Sequence, residues 1–164
     1  MAASTTTPTI RLLRLTDLAT LRLIAGTGAH QPDTSVRSSP AFQFGERWRE
    51  LSSATFAAYA ASGCSYVAEV EGQLAGYLFA QPISYRDSTP LTIWVDDIAV
   101  HPDYQRQRIG IALYRTLGAR ARGEGVKAIL TRVDPTNAAA LSLHQRAGFE
   151  PHGTGAIVWR LERE

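Results

Sequence analysis

The segment from Thr92 to Val133 constrains this chain more than any other. It begins with a short apolar run, Thr92-Ile-Trp-Val-Asp-Asp-Ile-Ala-Val100, that reads as a strand. A polar turn follows, His101-Pro-Asp-Tyr-Gln-Arg-Gln-Arg108. Ile109, Ala112, Leu113, Thr116 and Leu117 then recur at helical spacing up to Arg122, and Gly123 and Gly125 end the helix. Lys127 to Val133 is again a strand. A strand, a helix and a second strand in this order predict a right-handed parallel crossover. Such a unit needs a sheet with helices packed on it.

The remaining elements fit around that unit. Ile10 to Arg14 reads as a first strand, and Thr16 or Asp17 caps a helix through about Ala25. A second helix covers Phe44 to Ala61, with Trp48, Leu51, Phe56 and Tyr59 on its apolar side. Ser65 to Glu71 and Leu74 to Pro82 alternate with period two around Gly72-Gln73, a hairpin signal. Asn137 to Ala147 is a short helix stopped by Gly148, and Ile157 to Leu161 is a last strand. The order β-α-α-β-β-β-α-β-α-β predicts an α/β (α+β) fold, a mixed sheet of six to seven strands with helices on both faces. The 164 residues suit one domain over residues 9–164, behind a disordered start at 1–8.

Several function classes drop out. A formal net charge of +2 does not argue for nucleic acid. Arg106, Arg108, Arg115, Arg120 and Arg122 come with no aromatic stacking surface, so no nucleic-acid partner is expected. No apolar run approaches a membrane span, and the first residues lack a secretory signal. The single cysteine, Cys64, cannot form an internal disulfide and suits a reducing compartment, so a cytoplasmic location is expected. His30, His101 and His152 lack metal-ligand spacing, and no metal is expected.

The turn before Ile109 has a chemistry of its own. The first N–H groups of a helix have no internal partner, and the helix dipole favours an anion beside them. Arg106 and Arg108 lie on that turn, so a phosphate or pyrophosphate is the natural guest. A merely solvated basic turn remains open on charge pattern alone. No Gly-Lys-Ser/Thr follows, as a P-loop would need, and the dinucleotide-binding glycine pattern is absent.

Val100 to Leu113 resembles the acetyl-CoA signature of the GNAT family of N-acetyltransferases, Gln/Arg-x-x-Gly-x-Gly/Ala. Gln105 and Gly110 match, and Arg108 stands where the first Gly is usual. Asn137 to Phe149 resembles the family's second block, with Asn137, Ala140, Leu143, Gly148 and Phe149 in register. His144 replaces a common Tyr, a variant similar to the phosphinothricin acetyltransferase branch.

The resemblance implies acetyl-CoA as cofactor and a small, amino acid-like amine as acceptor. It implies cofactor contacts from Ile98, Ala99 and Val100 at the strand end, and from Gln105, Arg106, Gln107 and Arg108 in the turn. Ile109, Gly110, Ile111 and Ala112 in the first helical turn, and Asn137, Ala140 and His144 on the later helix, complete that set. A backbone N–H near Val100 would face the oxygen that gains charge.

The same likeness turns the strand face bearing Trp94 and Asp96 toward the acceptor, which makes Asp96 the first candidate base. Plain alternation puts Ile98 and Val100 on that face and Ile93, Val95, Asp97 and Ala99 on the other. Asp97 is second choice and Glu69 third. His144 is a candidate acid or hydrogen-bond donor to the leaving sulfur, and Trp94 and Tyr85 could wall the acceptor pocket. A CoA-binding module without turnover, a protein amine as acceptor and a homodimer all stay open.

Overall fold

A computed structural model describes residues 7–21, 52–83, 91–152 and 156–161. The strands are β1 (Thr9–Leu12), β2 (Tyr66–Val70), β3 (Gln73–Ile83), β4 (Thr92–Val100), β5 (Ala128–Arg132), β6 (Glu150–His152) and β7 (Ala156–Arg160). They form one sheet in the order β1-β2-β3-β4-β5-β7-β6. Only β4 and β5 pair in parallel; the other neighbours are antiparallel. Three helices, α1 (Ser53–Ala61), α2 (Ile109–Gly123) and α3 (Ala138–Ala147), accompany them. Residues 17–21 are also helical, and Pro102–Tyr104 makes one 3-10 turn.

Alternation along β2 and β3 sorts their side chains into two cores. Ala68, Leu78 and Ala80 pack with Leu113, Tyr114 and Leu117 of α2. Val67, Tyr77 and Phe79 pack with Phe56 of α1 and with Leu13 and Leu21. At the outer edge Arg11 bonds Asp17 at 2.8 Å and Glu69 at 2.6 Å. Glu69, a sequence candidate for the base, is therefore an ion-pair partner at the sheet edge.

Three details differ from the sequence reading. The β2–β3 turn is Glu71-Gly72, one residue earlier than Gly72-Gln73. Both turn residues are left-handed, at φ 51° and 77°, and Val70 pairs with Gln73. A two-residue hairpin needs that handedness to follow the twist of the strands. β6 is a short edge strand whose residues are all exposed. Pro151 and the lack of apolar alternation hide it in the sequence. The helix expected over Phe44 to Ala61 is not among these differences: residues 44–51 lie outside the described residues, and Ser53–Ala61 is helical, with Ser52 Oγ accepting from Thr55 N.

The third difference shapes the site. Asp97 pairs with Phe79 and Val95 with Ala80, which leaves Asp96 without a partner as a bulge in β4. One extra residue shifts the alternation. Ile93 and Val95 pack in the α2 core, and so do Ile98 and Val100. The expected grouping of Trp94 and Asp96 with Ile98 and Val100 is thus corrected: the bulge moves the last two to the opposite face.

β4 pairs with β5 only from Thr92 to Val95. Thr131 Oγ1 donates to Val95 O at 2.8 Å at the end of that seam. From Asp96 to Val100, β3 is the only described strand beside β4. Past the strand end, His101 N donates to Ala75 O at 2.8 Å. Gly76 permits this approach, since a Cβ there would lie 2.9 Å from Ala99 O. The sheet thus parts into a wedge where the polar turn begins.

Candidate active site

The turn from Gln105 to Arg108 is built to expose backbone N–H groups. Arg106 and Arg108 are both left-handed, at φ 62° each. Alternating handedness of this kind makes a concave nest of N–H groups. Arg108 is the N-cap of α2 and makes no side-chain cap bond. The first backbone bond back into the turn runs from Ala112 N to Arg108 O at 3.0 Å. The N–H groups of Ile109, Gly110 and Ile111 precede it and have no helical acceptor. The Gln105 side-chain amide donates to Val100 O at 3.3 Å, which ties the turn to the end of β4.

A groove of about 520 Å³ opens from this turn. Ile98, Ala99 and Val100 form one wall; Asn137, Ala140 and His144 of the α3 segment form the other. Gly110 sets the distance between α2 and α3, because a Cβ there would lie 3.0 Å from Leu143 Cδ1. Asn137 caps α3, its Oδ1 accepting from Ala140 N at 3.0 Å. Gly148 ends that helix in the left-handed conformation, at φ 102°.

His144 is only 3% exposed, and both ring nitrogens are engaged. Nδ1 lies 2.6 Å from Ala140 O. A carbonyl oxygen only accepts, so Nδ1 carries the proton. Nε2 lies 2.7 Å from the Tyr114 hydroxyl and accepts its proton. Burial pushes the imidazole below its usual range, opposed by the bond to Ala140. Burial, and then the charge of Asp97, push the Tyr114 hydroxyl far up, so the phenol keeps its proton. In this arrangement His144 has no N–H left for a leaving sulfur, unlike the donor that the sequence suggests.

Asp96 is exposed in the bulge, and Gln81 Nε2 donates to its Oδ2 at 3.0 Å. Asp97 accepts from the Tyr77 hydroxyl at 2.7 Å on the α1 side of the sheet. Tyr59 of α1 stacks on Phe79, with ring centroids 4.7 Å apart. Burial first, and then the Asp96 and Asp97 carboxylates, push its hydroxyl up to about 12. Two carboxylates and two phenols thus gather where β4 bends, on the face away from α2.

The open nest at the start of α2, the parted β4–β5 seam and the groove between the end of β4 and α3 thus adjoin one another. The model of the Acetyltransferase (GNAT) family matches residues 34–149, well over half of the chain. The chain belongs to the GNAT family. Among curated relatives, it is 34% identical over 89 residues to the probable N-acetyltransferase camello of Xenopus tropicalis, covering 54% of this chain and 39% of that one. It is 30% identical over 90 residues to phosphinothricin N-acetyltransferase of Streptomyces viridochromogenes, covering 54% and 48%. The chain thus spans less than half the length of these relatives. In fold it is similar to the crystal structure of the PaiA N-acetyltransferase of Thermoplasma acidophilum in complex with coenzyme A. That likeness has a TM-score of 0.68 at 16% identity and covers 94% of this chain and 99% of that one.

Within this GNAT fold, most residues singled out in the sequence come together. Besides the wall residues, Gln105, Arg106, Arg108, Ile109, Gly110 and Ile111 line the groove. Gln107 and Ala112 instead line a neighbouring cavity. Trp94 is half-buried opposite Gln81, and Tyr85 lies outside the described residues. Sequence spacing assigns no site role to Tyr114, Gln81 or Tyr59, the last of which it puts on an apolar helix face. Each reaches its partner across the sheet or between helices, and no local spacing announces such a contact. Among the described residues no cluster of His, Cys, Asp and Glu could hold a metal ion, and no helix is long and apolar enough to cross a membrane.

Proposed function

We propose that this chain transfers an acetyl group from acetyl-CoA to the primary amine of a small, amino acid-like molecule. One observation carries the reading. The uncapped start of α2 opens into a groove that follows β4 to Ile98, two residues from the exposed Asp96. The donor supplies an activated thioester carbonyl. The N–H groups of Ile109, Gly110 and Ile111, with Arg106 and Arg108, suit its pyrophosphate. Asn137 keeps its side-chain N–H groups for the groove, because only its oxygen is used in the cap.

An alkyl amine with a pKa near ~10 is mostly protonated at neutral pH and must lose a proton before it attacks. Asp96, directly or through water, is the base that the geometry favours, held by Gln81 and open to solvent. Asp97 is tied to a buried Tyr and acts as support for the bend. The nitrogen bonds to the carbonyl carbon as the carbon–sulfur bond breaks. The amine proton leaves through Asp96, and the thiolate takes a proton from solvent.

Release of free thiol from acetyl-CoA, followed with a coloured thiol reagent across a panel of amines and peptides with free N-termini, tests this. A small amine should give the largest signal. Asp96→Asn should lower kcat/KM for that amine about 100-fold or more while CoA affinity is kept. Equal rates in the two proteins would remove Asp96 from the reaction. A second reading, a CoA-binding module without turnover, draws on His144, whose engaged nitrogens leave it no proton to donate. Micromolar CoA binding with no thiol signal from any acceptor would select it.

A further inference from the structure

A second cavity, of about 360 Å³, lies beside the groove. Arg108, Arg115 and Arg146 line it, with Gln107, Ile111 and Ala112. Ile111, Ala112 and Arg115 share one stripe of α2 and Arg108 is the N-cap before it, so two guanidinium groups border a small apolar patch. Arg146 joins them from α3. None of the three arginines makes an ion pair with a described residue, and no carboxylate lines the cavity. Two other exposed arginines do meet carboxylates: Arg120 bonds Glu124 at 2.9 Å, and Arg160 meets Glu150 at 3.4 Å.

Three cations that line one cavity with no carboxylate beside them among the described residues repel one another, and an anion relieves that repulsion. Planar guanidinium forks favour phosphate oxygens over a simple halide. The cavity shares Arg108, Ile111 and Arg146 with the groove. A ligand whose pyrophosphate lies on the α2 amides therefore has its next anionic group within reach of this cavity. CoA carries such a group, the monoester phosphate on the 3′-oxygen of its adenosine, with close to two negative charges at neutral pH.

We propose that Arg108, Arg115 and Arg146 form a subsite for that 3′-phosphate and select CoA over its 3′-dephospho form. The inference rests on the acetyl-CoA reading above but fails separately from it. Calorimetric titration of the purified chain with CoA and with 3′-dephospho-CoA tests it without any variant. CoA should bind about 30-fold more tightly, as expected when charge-assisted bonds to a phosphate are lost. The variant Arg115→Gln, at a residue that lines this cavity and not the groove, should lose at least several-fold of that preference. Its affinity for 3′-dephospho-CoA should stay within about 3-fold of the parent, which also shows that it is folded. Equal affinity of the parent chain for both ligands overturns the subsite and leaves the cofactor reading standing. Binding of neither overturns both. A preference that is undiminished in Arg115→Gln assigns the discrimination to other residues and overturns the proposal as well.

Discussion

The two helices that meet at the groove begin in opposite ways. α3 starts under a cap, with Asn137 Oδ1 accepting from Ala140 N at 3.0 Å. α2 starts from a left-handed arginine with no side-chain cap bond. A capped start has already used part of its capacity to attract an anion. An uncapped start keeps that capacity, at a cost of about 1–2 kcal/mol for a left-handed residue with a side chain. On the cofactor reading proposed above, the contrast teaches that the anion's place is decided by which helix is left unfinished. Basic residues then add to that choice. Arg106 and Arg108 precede α2, whereas Asp134 precedes α3, and its carboxyl lies below the usual range because Thr136 bonds it through hydroxyl and backbone N–H.

The largest expected effect comes from forcing the two helix starts apart. Gly110→Val places branched carbon against Leu143 and should destabilise the chain by about 2 kcal/mol in urea unfolding, with weaker CoA binding. Unchanged stability would mean that α2 and α3 are less closely packed than described. Next, Asn137→Ala removes the cap of α3 and should cost about 1 kcal/mol. If the contrast holds, it also frees the N–H of Ala140 and lets α3 compete for anions, so binding of inorganic phosphate should rise slightly.

Arg108→Gly has a smaller effect of opposite sign. Relief of the left-handed strain exceeds the added freedom of the unfolded chain, for a net gain of about 0.5 kcal/mol. CoA should nonetheless bind less well, because a guanidinium is lost from both cavities. Stability and affinity would then move in opposite directions in one titration series.

The smallest effect is a pH dependence from His144. Its folded-state pKa lies below the ordinary value near ~6.5, chiefly through burial. Between the two values the unfolded chain binds more protons, so stability rises with pH there. The contribution is complete above about pH 6.5 and is lost as pH falls through the depressed value. Urea midpoints at neutral and mildly acidic pH should therefore fall more for the parent than for His144→Gln.

Much of the groove proposed to hold the cofactor is legible because its signals are local. Gln105, Arg108 and Gly110 lie within a single turn, and Asn137 and His144 within two turns of one short helix. Helical spacing then brings them to the groove. The acceptor side depends on one event that no pattern in the chain records, the unpaired Asp96 between Val95 and Asp97. Alternation counts every residue equally, so it placed Ile98 and Val100 on the wrong face. Likewise the bond from Tyr114 to His144 spans 30 residues and occupies the remaining ring nitrogen, Nε2, which residue type alone could not reveal.

The β4–β5 seam also has a consequence for synthesis. A chain emerging in order completes β1 to β4 by Val100 and reaches β5 only at Ala128. Until then Thr92-Ile-Trp-Val95 is an open edge of the sheet, rich in β-branched and aromatic residues. Such an edge can pair with another chain. Between those two strands a ribosome-bound chain presents this edge to its neighbours, and arrival of β5 both covers it and completes the wedge, leaving the far edge of β5 open until β7.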